Sequence, residues 1–74
     1  MSKRDYEFDR ELIAVLYEEI KDDRETAKAY LFVIDDEEVW LPKSQVEDIR
    51  ETEYVAIIPR WLARAKGLKT YDKA

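Results

Sequence analysis

The side chains with most scope for chemistry in this chain are carboxylates. Glu18, Glu19, Asp22, Asp23 and Glu25 form one cluster, and Asp35, Asp36, Glu37 and Glu38 form another. Three kinds of chemistry use such groups. A carboxylate pair can act as the acid and base of a glycosidase, but only across a cleft. A calcium loop needs ligands at alternate positions around a central glycine, and the second cluster has neither. Carboxylates spaced along a rigid surface can also stand in for phosphates against Arg and Lys clusters. That last use asks only for spacing. The plainer alternative is that both clusters are solvated turns.

Other catalytic equipment is thin. Ser44 follows Lys43, but neighbours on an extended chain point apart, so no nucleophile–base pair is implied. There is no His to act as a base near neutral pH. Without His or Cys, zinc, haem and iron–sulfur sites lack their usual ligands. The lone glycine, Gly67, rules out a glycine-rich phosphate loop. The expectation is a protein that is not an enzyme and carries no cofactor and no metal. A second candidate surface is basic: Arg60, Trp61, Arg64 and Lys66, continued by Lys69 and Tyr71, combine phosphate-binding charges with a stacking ring. Its bland counterpart is that these charges cap a helix and pair with the acidic body.

Charge is divided along the chain. Net charge is −5 over 74 residues, yet residues 54–74 hold five basic residues against one acid. An acidic body with a basic tail can steer partners of either sign. At 46% hydrophobic and 42% charged, with one Gly and two Pro, the composition is that of a folded domain. Chains of this size bury only roughly 60% of their unfolded surface, so a tight core, an oligomer or a partner must supply stability. No apolar run approaches the ~20 residues of a membrane span, and the charged N-terminus does not look like a secretory signal. These features place a single domain, residues 1–74 with flexible ends at 1–8 and 69–74, in the cytoplasm.

The elements that must position these side chains are mostly strands. Residues 10–20 admit two readings. A helix would align Phe8, Leu12, Val15, Leu16 and Ile20 behind an Asp9 N-cap. It would also set Glu18, Glu19, Asp22 and Asp23 against the negative end of its dipole. A strand over Leu12–Tyr17, turning at Lys21–Arg24, avoids that conflict and is preferred. Ala27–Ile34 is rich in residues that suit a pleated surface. Asp35–Glu38 then makes a polar turn, Val39–Leu41 a strand, and Pro42 an edge or an end. Ser44 and Glu47 have capping-box spacing, predicting a helical turn over Gln45–Ile49. Tyr54–Ile58 predicts another strand. Pro59–Lys66 predicts a helix with Pro at its first position, Trp61, Leu62 and Ala65 on one face, and Gly67 as a left-handed cap. The fold class is α+β, mainly antiparallel β: a curled sheet of three to four strands with one short C-terminal helix.

One conflict bears on assembly. Ala27, Ala29, Leu31 and Val33 lie on one face of the central strand, and Tyr30, Phe32 and Ile34 on the other. A single short helix covers only part of one face. Either the sheet curls shut, or another chain covers Tyr30, Phe32 and Ile34, as a partner or as a second copy in a homodimer. Both tryptophans, Trp40 and Trp61, are expected in the core.

Three stretches carry a resemblance: Glu25–Asp35, then Glu38–Val46 with its Trp-Leu-Pro-Lys-Ser-Gln, then Ile58–Leu68 with Ile-Pro-Arg-Trp-Leu-Ala-Arg-Ala-Lys-Gly-Leu. Together they resemble a family of short phage and prophage proteins. The resemblance implies no catalytic residues. At the level of class it is similar to small acidic phage inhibitors such as anti-CRISPR proteins. It implies a binding protein that blocks a basic nucleic-acid-binding host protein with Glu18, Glu19, Asp22, Asp23, Glu25 and Asp35–Glu38. If residues 10–34 form a hairpin, the two clusters would sit roughly 30 Å apart at opposite ends of one strand. The alternatives are a replication or recombination accessory touching nucleic acid through Arg60, Trp61, Arg64 and Lys66, and a small structural or dimerising module.

Overall fold

In the computed structural model, which describes residues 11–68, the stretch from Leu12 to Ile20 is extended. It forms β1 (Leu12–Leu16) and β2 (Glu19–Ile20). A 3-10 turn over Asp22–Arg24 leads to β3 (Ala29–Ile34) and β4 (Glu37–Pro42). A second 3-10 turn over Lys43–Gln45 precedes β5 (Asp48–Arg50), β6 (Val55–Pro59) and the helix α1 (Arg60–Ala65). Phe8, Asp9, Lys69, Tyr71 and the two ends read as flexible lie outside the described residues.

The strands form two antiparallel sheets, in the orders β1-β6-β5 and β2-β3-β4. The curled, mainly antiparallel architecture with one short C-terminal helix is therefore present, divided into two three-stranded sheets. β1 runs on into β2, so a single length of chain serves both. The change of partner occurs at two residues. Tyr17 donates its amide to the Tyr54 carbonyl (3.0 Å), and Glu18 donates its amide to the Val33 carbonyl (2.7 Å). Successive amides of an extended chain point to opposite sides, so this bend joins the sheets with the amides of both residues bonded.

The pleat assigns the core. Ile13, Val15 and Tyr17 face inward from β1 and its end, Ala56 and Ile58 from β6, Phe32 and Ile34 from β3, and Leu41 from β4. Leu62 and Ala63 of α1 complete the cluster. The face containing Tyr30, Phe32 and Ile34 is thus covered by the chain's own second sheet and helix. Phe32 is fully buried and Ile34 nearly so, which removes that face as a seat for a second copy. On the opposite side of β3, Leu31 is also fully buried, where the Asp22–Arg24 turn packs on the strand. Each fully buried large side chain contributes about 1.5–3 kcal/mol of transfer free energy.

Several local expectations are corrected. β3 begins at Ala29, not Ala27, because the Thr26 hydroxyl accepts the Ala29 amide (3.0 Å) and closes a turn. Only Asp35 and Asp36 form the hairpin turn; both take positive φ (53° and 66°), the signature of a two-residue turn that matches strand twist. Glu37 and Glu38 belong to β4. Ser44 and Glu47 make no capping box: Lys43–Gln45 is a 3-10 turn with no side-chain cap, and Ile49 lies in β5. Pro59 ends β6 rather than starting the helix. Its ring φ of −66° serves extended backbone as well as helix, and the flanking bond to β1 comes from the Arg60 amide to the Glu11 carbonyl (2.7 Å). The buried stripe of α1 is Leu62–Ala63, not Trp61–Leu62–Ala65. Neither tryptophan is in the core; Trp40 and Trp61 are 40% and 41% exposed.

The helix ends as the Gly67 position predicts. Gly67 has φ 69°, and its amide bonds the Arg64 carbonyl while the Leu68 amide bonds the Ala63 carbonyl. That paired pattern is the Schellman motif. It returns Leu68 to the core edge.

The hairpin turn carries a removable cost. A non-glycine residue in the left-handed region is disfavoured by about 1–2 kcal/mol. Asp36→Gly, which creates the Asp-Gly pair such turns favour, is expected to stabilise the fold by about 0.5–1 kcal/mol after the entropic cost of glycine. Urea denaturation of the two proteins checks this through a higher midpoint at unchanged slope.

Candidate functional site: an acidic cleft at the sheet junction

The bend that joins the sheets also opens a cleft. Its volume is about 330 Å³, and its walls are Tyr17, Glu18, Glu19, Ile20, Asp22, Glu51 and Tyr54. Each wall follows from local structure. Tyr17 and Glu18 are the residues where the strand changes sheets. Glu19 and Ile20 are β2, and Asp22 opens the 3-10 turn behind it. Glu51 and Tyr54 come from the turn between β5 and β6, which the Glu53 amide closes onto the Arg50 carbonyl (3.1 Å).

Tyr54 stands out backbone first. It has φ 57°, uncommon for a bulky residue, and its side chain is 55% exposed. Its carbonyl is the acceptor for Tyr17, and its ring meets the Tyr17 ring edge-on at 5.8 Å. Tyr17 in turn packs edge-on against Phe32 at 5.0 Å. A run of aromatic contacts thus connects the buried core to an exposed ring at the cleft mouth.

The electrostatics are one-sided. Glu18, Glu19, Asp22 and Glu51 supply four carboxylates, and among the described residues no basic side chain lines the cleft. The Tyr17 hydroxyl feels this: burial first, then Glu51, Tyr54 and Asp22, raise its pKa above the ordinary value. Among the described residues no three carboxylates converge to hold a metal ion. The exposed Tyr54 ring, backed by the buried Tyr17, instead stands among four carboxylates in a cleft open to solvent, the combination of charge and ring face that suits an organic cation.

The structure gathers some expected site residues and disperses others. Glu18, Glu19 and Asp22 meet in the cleft. Glu18 also accepts the Asp36 amide on its carboxylate (3.3 Å to each oxygen), pinning the hairpin turn to the bend. Glu38 is drawn into ion pairs with Lys21 (3.4 Å) and Arg24 (3.7 Å). Glu25 is held by Lys43 (2.6 Å), whose ammonium sits 5.0 Å from the Tyr30 ring centre. Asp23, Asp35, Asp36 and Glu37 are exposed outside the cleft. The two clusters therefore do not mark the ends of one long strand, because Glu38 reaches back to the turn that follows β2.

The basic set is not one surface either. The Arg60 side chain is only 13% exposed and bonds Glu11 at 2.9 Å, tying the start of α1 to the start of β1. Trp61 lines a separate cleft with Leu12, Gln45, Glu47 and Pro59. Arg64 and Lys66 are exposed. Sequence reasoning missed Tyr17, Glu51 and Tyr54. Glu51 and Glu53 do stand in an acidic stretch before Tyr54, but only the β5–β6 turn brings that stretch to the bend. No family model, curated protein or solved structure matches the chain, and no helix among the described residues is long and apolar enough to cross a membrane.

The Tyr17 environment gives a pH prediction. Its folded pKa lies above the unfolded value near 10, so the unfolded chain loses this proton first as pH rises. The stability held below pH 10 is therefore lost above it, by at most about 1.4 kcal/mol per pH unit for one group. Tyr17→Phe should flatten the fall in denaturation midpoint above pH 10. Identical alkaline slopes in the two proteins would contradict the assigned environment.

Proposed function

We propose that this chain is a non-catalytic binding protein whose acidic cleft receives Lys or Arg side chains from the basic surface of a nucleic-acid-binding protein. The observation that carries the reading is the pairing of four carboxylates with Tyr17 and Tyr54 at the sheet junction, with no basic side chain in the wall among the described residues. A cation entering it meets charge on several sides and an aromatic face. Such contacts are worth about 0.5–1 kcal/mol at exposed rings and about 2 when desolvated. Carboxylates outside the cleft, including Asp23, Asp35 and Glu37, extend the negative field and speed encounter with a positive partner.

On the sequence resemblance, the chain is a phage-derived inhibitor acting in the host cytoplasm against a defence complex of the CRISPR type. The acidic surface then occupies the groove that would hold nucleic acid. The basic-helix alternative loses support from Arg60, which is mostly buried and occupied by Glu11.

Capture from a host lysate tests this. The wild-type chain should retain a nucleic-acid-binding protein, and added nucleic acid should release it. Combined Glu19→Lys, Asp22→Lys and Glu51→Lys should weaken capture at least tenfold, or about 1.4 kcal/mol, while Asp35→Lys with Glu37→Lys should do less. Equal capture by all three proteins would remove the cleft from the account.

A further inference from the structure

Among the described residues, the strand that builds the cleft has a second side with no partner strand. β1 pairs only with β6 among the described residues, in the register Leu12↔Pro59 to Leu16↔Val55. The flanking bonds, Arg60 amide to Glu11 carbonyl and Tyr17 amide to Tyr54 carbonyl, show that odd-numbered residues of this stretch bond β6. The N–H and C=O groups of Leu12, Ala14 and Leu16 therefore face the open edge. The next even residue, Glu18, already gives its amide to Val33, so the open row is these three residues.

The side chains along this row are unusual for an edge. Soluble proteins protect edge strands with charge, proline or a bulge. β1 is Leu-Ile-Ala-Val-Leu and has none of these. Leu12 and Leu16 are 51% and 45% exposed, while Ile13 and Val15 are packed inside. The row is also symmetric: leucine, alanine, leucine.

We propose that β1 pairs antiparallel with β1 of a second copy of this chain, with Ala14 on the two-fold axis. Leu12 then lies opposite Leu16 of the partner, and the three open residues of each copy bond the three of the other. The two sheets β1-β6-β5 become one sheet of six strands. Three observations favour a second copy over a foreign strand. The row is self-complementary, as an isologous contact requires. Copies carrying a net charge of −5 repel one another least along a strip without charge. At one end of that strip, Glu11 is already paired with Arg60. The seam is short, about 17 Å for five residues, and a single strand edge of that length covers far less than the roughly 800 Å² per partner of a stable complex. The pair is therefore reversible and forms only at high concentration. It leaves the Tyr17–Tyr54 cleft walls outside the seam, so it stands or falls separately from the binding function.

Sedimentation of the full chain from about 10 µM to about 1 mM, with amide exchange at both extremes, tests the proposal. The expected result is a mass rising from one chain towards two, with the Leu12, Ala14 and Leu16 amides gaining protection at least tenfold as it rises. Leu12→Lys with Leu16→Lys, both at exposed positions, should hold the mass at one chain with an unchanged circular dichroism spectrum. A wild-type mass that stays at one chain would overturn the proposal. So would association that the lysine variant retains, or edge amides already protected at the lowest concentration, which would mean the chain's own terminal residues cover the row.

Discussion

One length of extended chain, residues 12–20, belongs to both sheets, and the rest of the molecule depends on it. Without disulfides, a domain of this size must hold its layers together by packing and backbone bonding alone. Here the junction is covalent, because the chain simply continues from one sheet into the other. The bend at Tyr17 and Glu18 lets Ile13 and Val15 face the same core as Phe32 and Ile34. A helix over the same residues could have served only one layer. The Glu18 carboxylate on the Asp36 amide and the Tyr54 carbonyl on the Tyr17 amide hold the bend from either side.

The same bend separates carboxylates gathered in a cleft from carboxylates held in ion pairs. Most surface ion pairs contribute little to stability, but they do decide which carboxylates are already occupied. Glu11, Glu25, Glu38 and Asp48 each have a basic partner within 4 Å. Glu19, Asp22 and Glu51 share the cleft wall with Glu18 and two tyrosines instead. An acidic chain of this kind is better described by where its charge remains uncompensated than by its net value.

Much of the architecture was legible from residue pattern. The dipole argument against a helix at residues 10–20, the β-rich run through Ile34 and the cap at Gly67 all correspond to observed structure. What failed did so for physical reasons. Pro59 is compatible with both extended and helical backbone, so its type alone could not place the boundary. The capping-box spacing at Ser44 lost to β5 pairing, which pulls Ile49 into a strand against Ala56. The burial of Leu31 and the exposure of both tryptophans depend on tertiary packing that periodicity does not encode. For the site, three cleft acids stood out as part of a local cluster. Glu51 and Tyr54 are more than thirty positions from Tyr17, and only the β1–β6 register brings them beside it.

The central claim is that the sheet junction, not the acidic surface at large, recognises cationic side chains. Nuclear magnetic resonance titration of the full chain with a short arginine-rich peptide at physiological salt tests this most directly. The account predicts saturable shifts concentrated at Tyr17, Glu19, Asp22, Glu51 and Tyr54, with smaller changes at Asp23, Asp35 and Glu37. Shifts spread evenly over all the exposed acids, or absent from the two tyrosines, would contradict it.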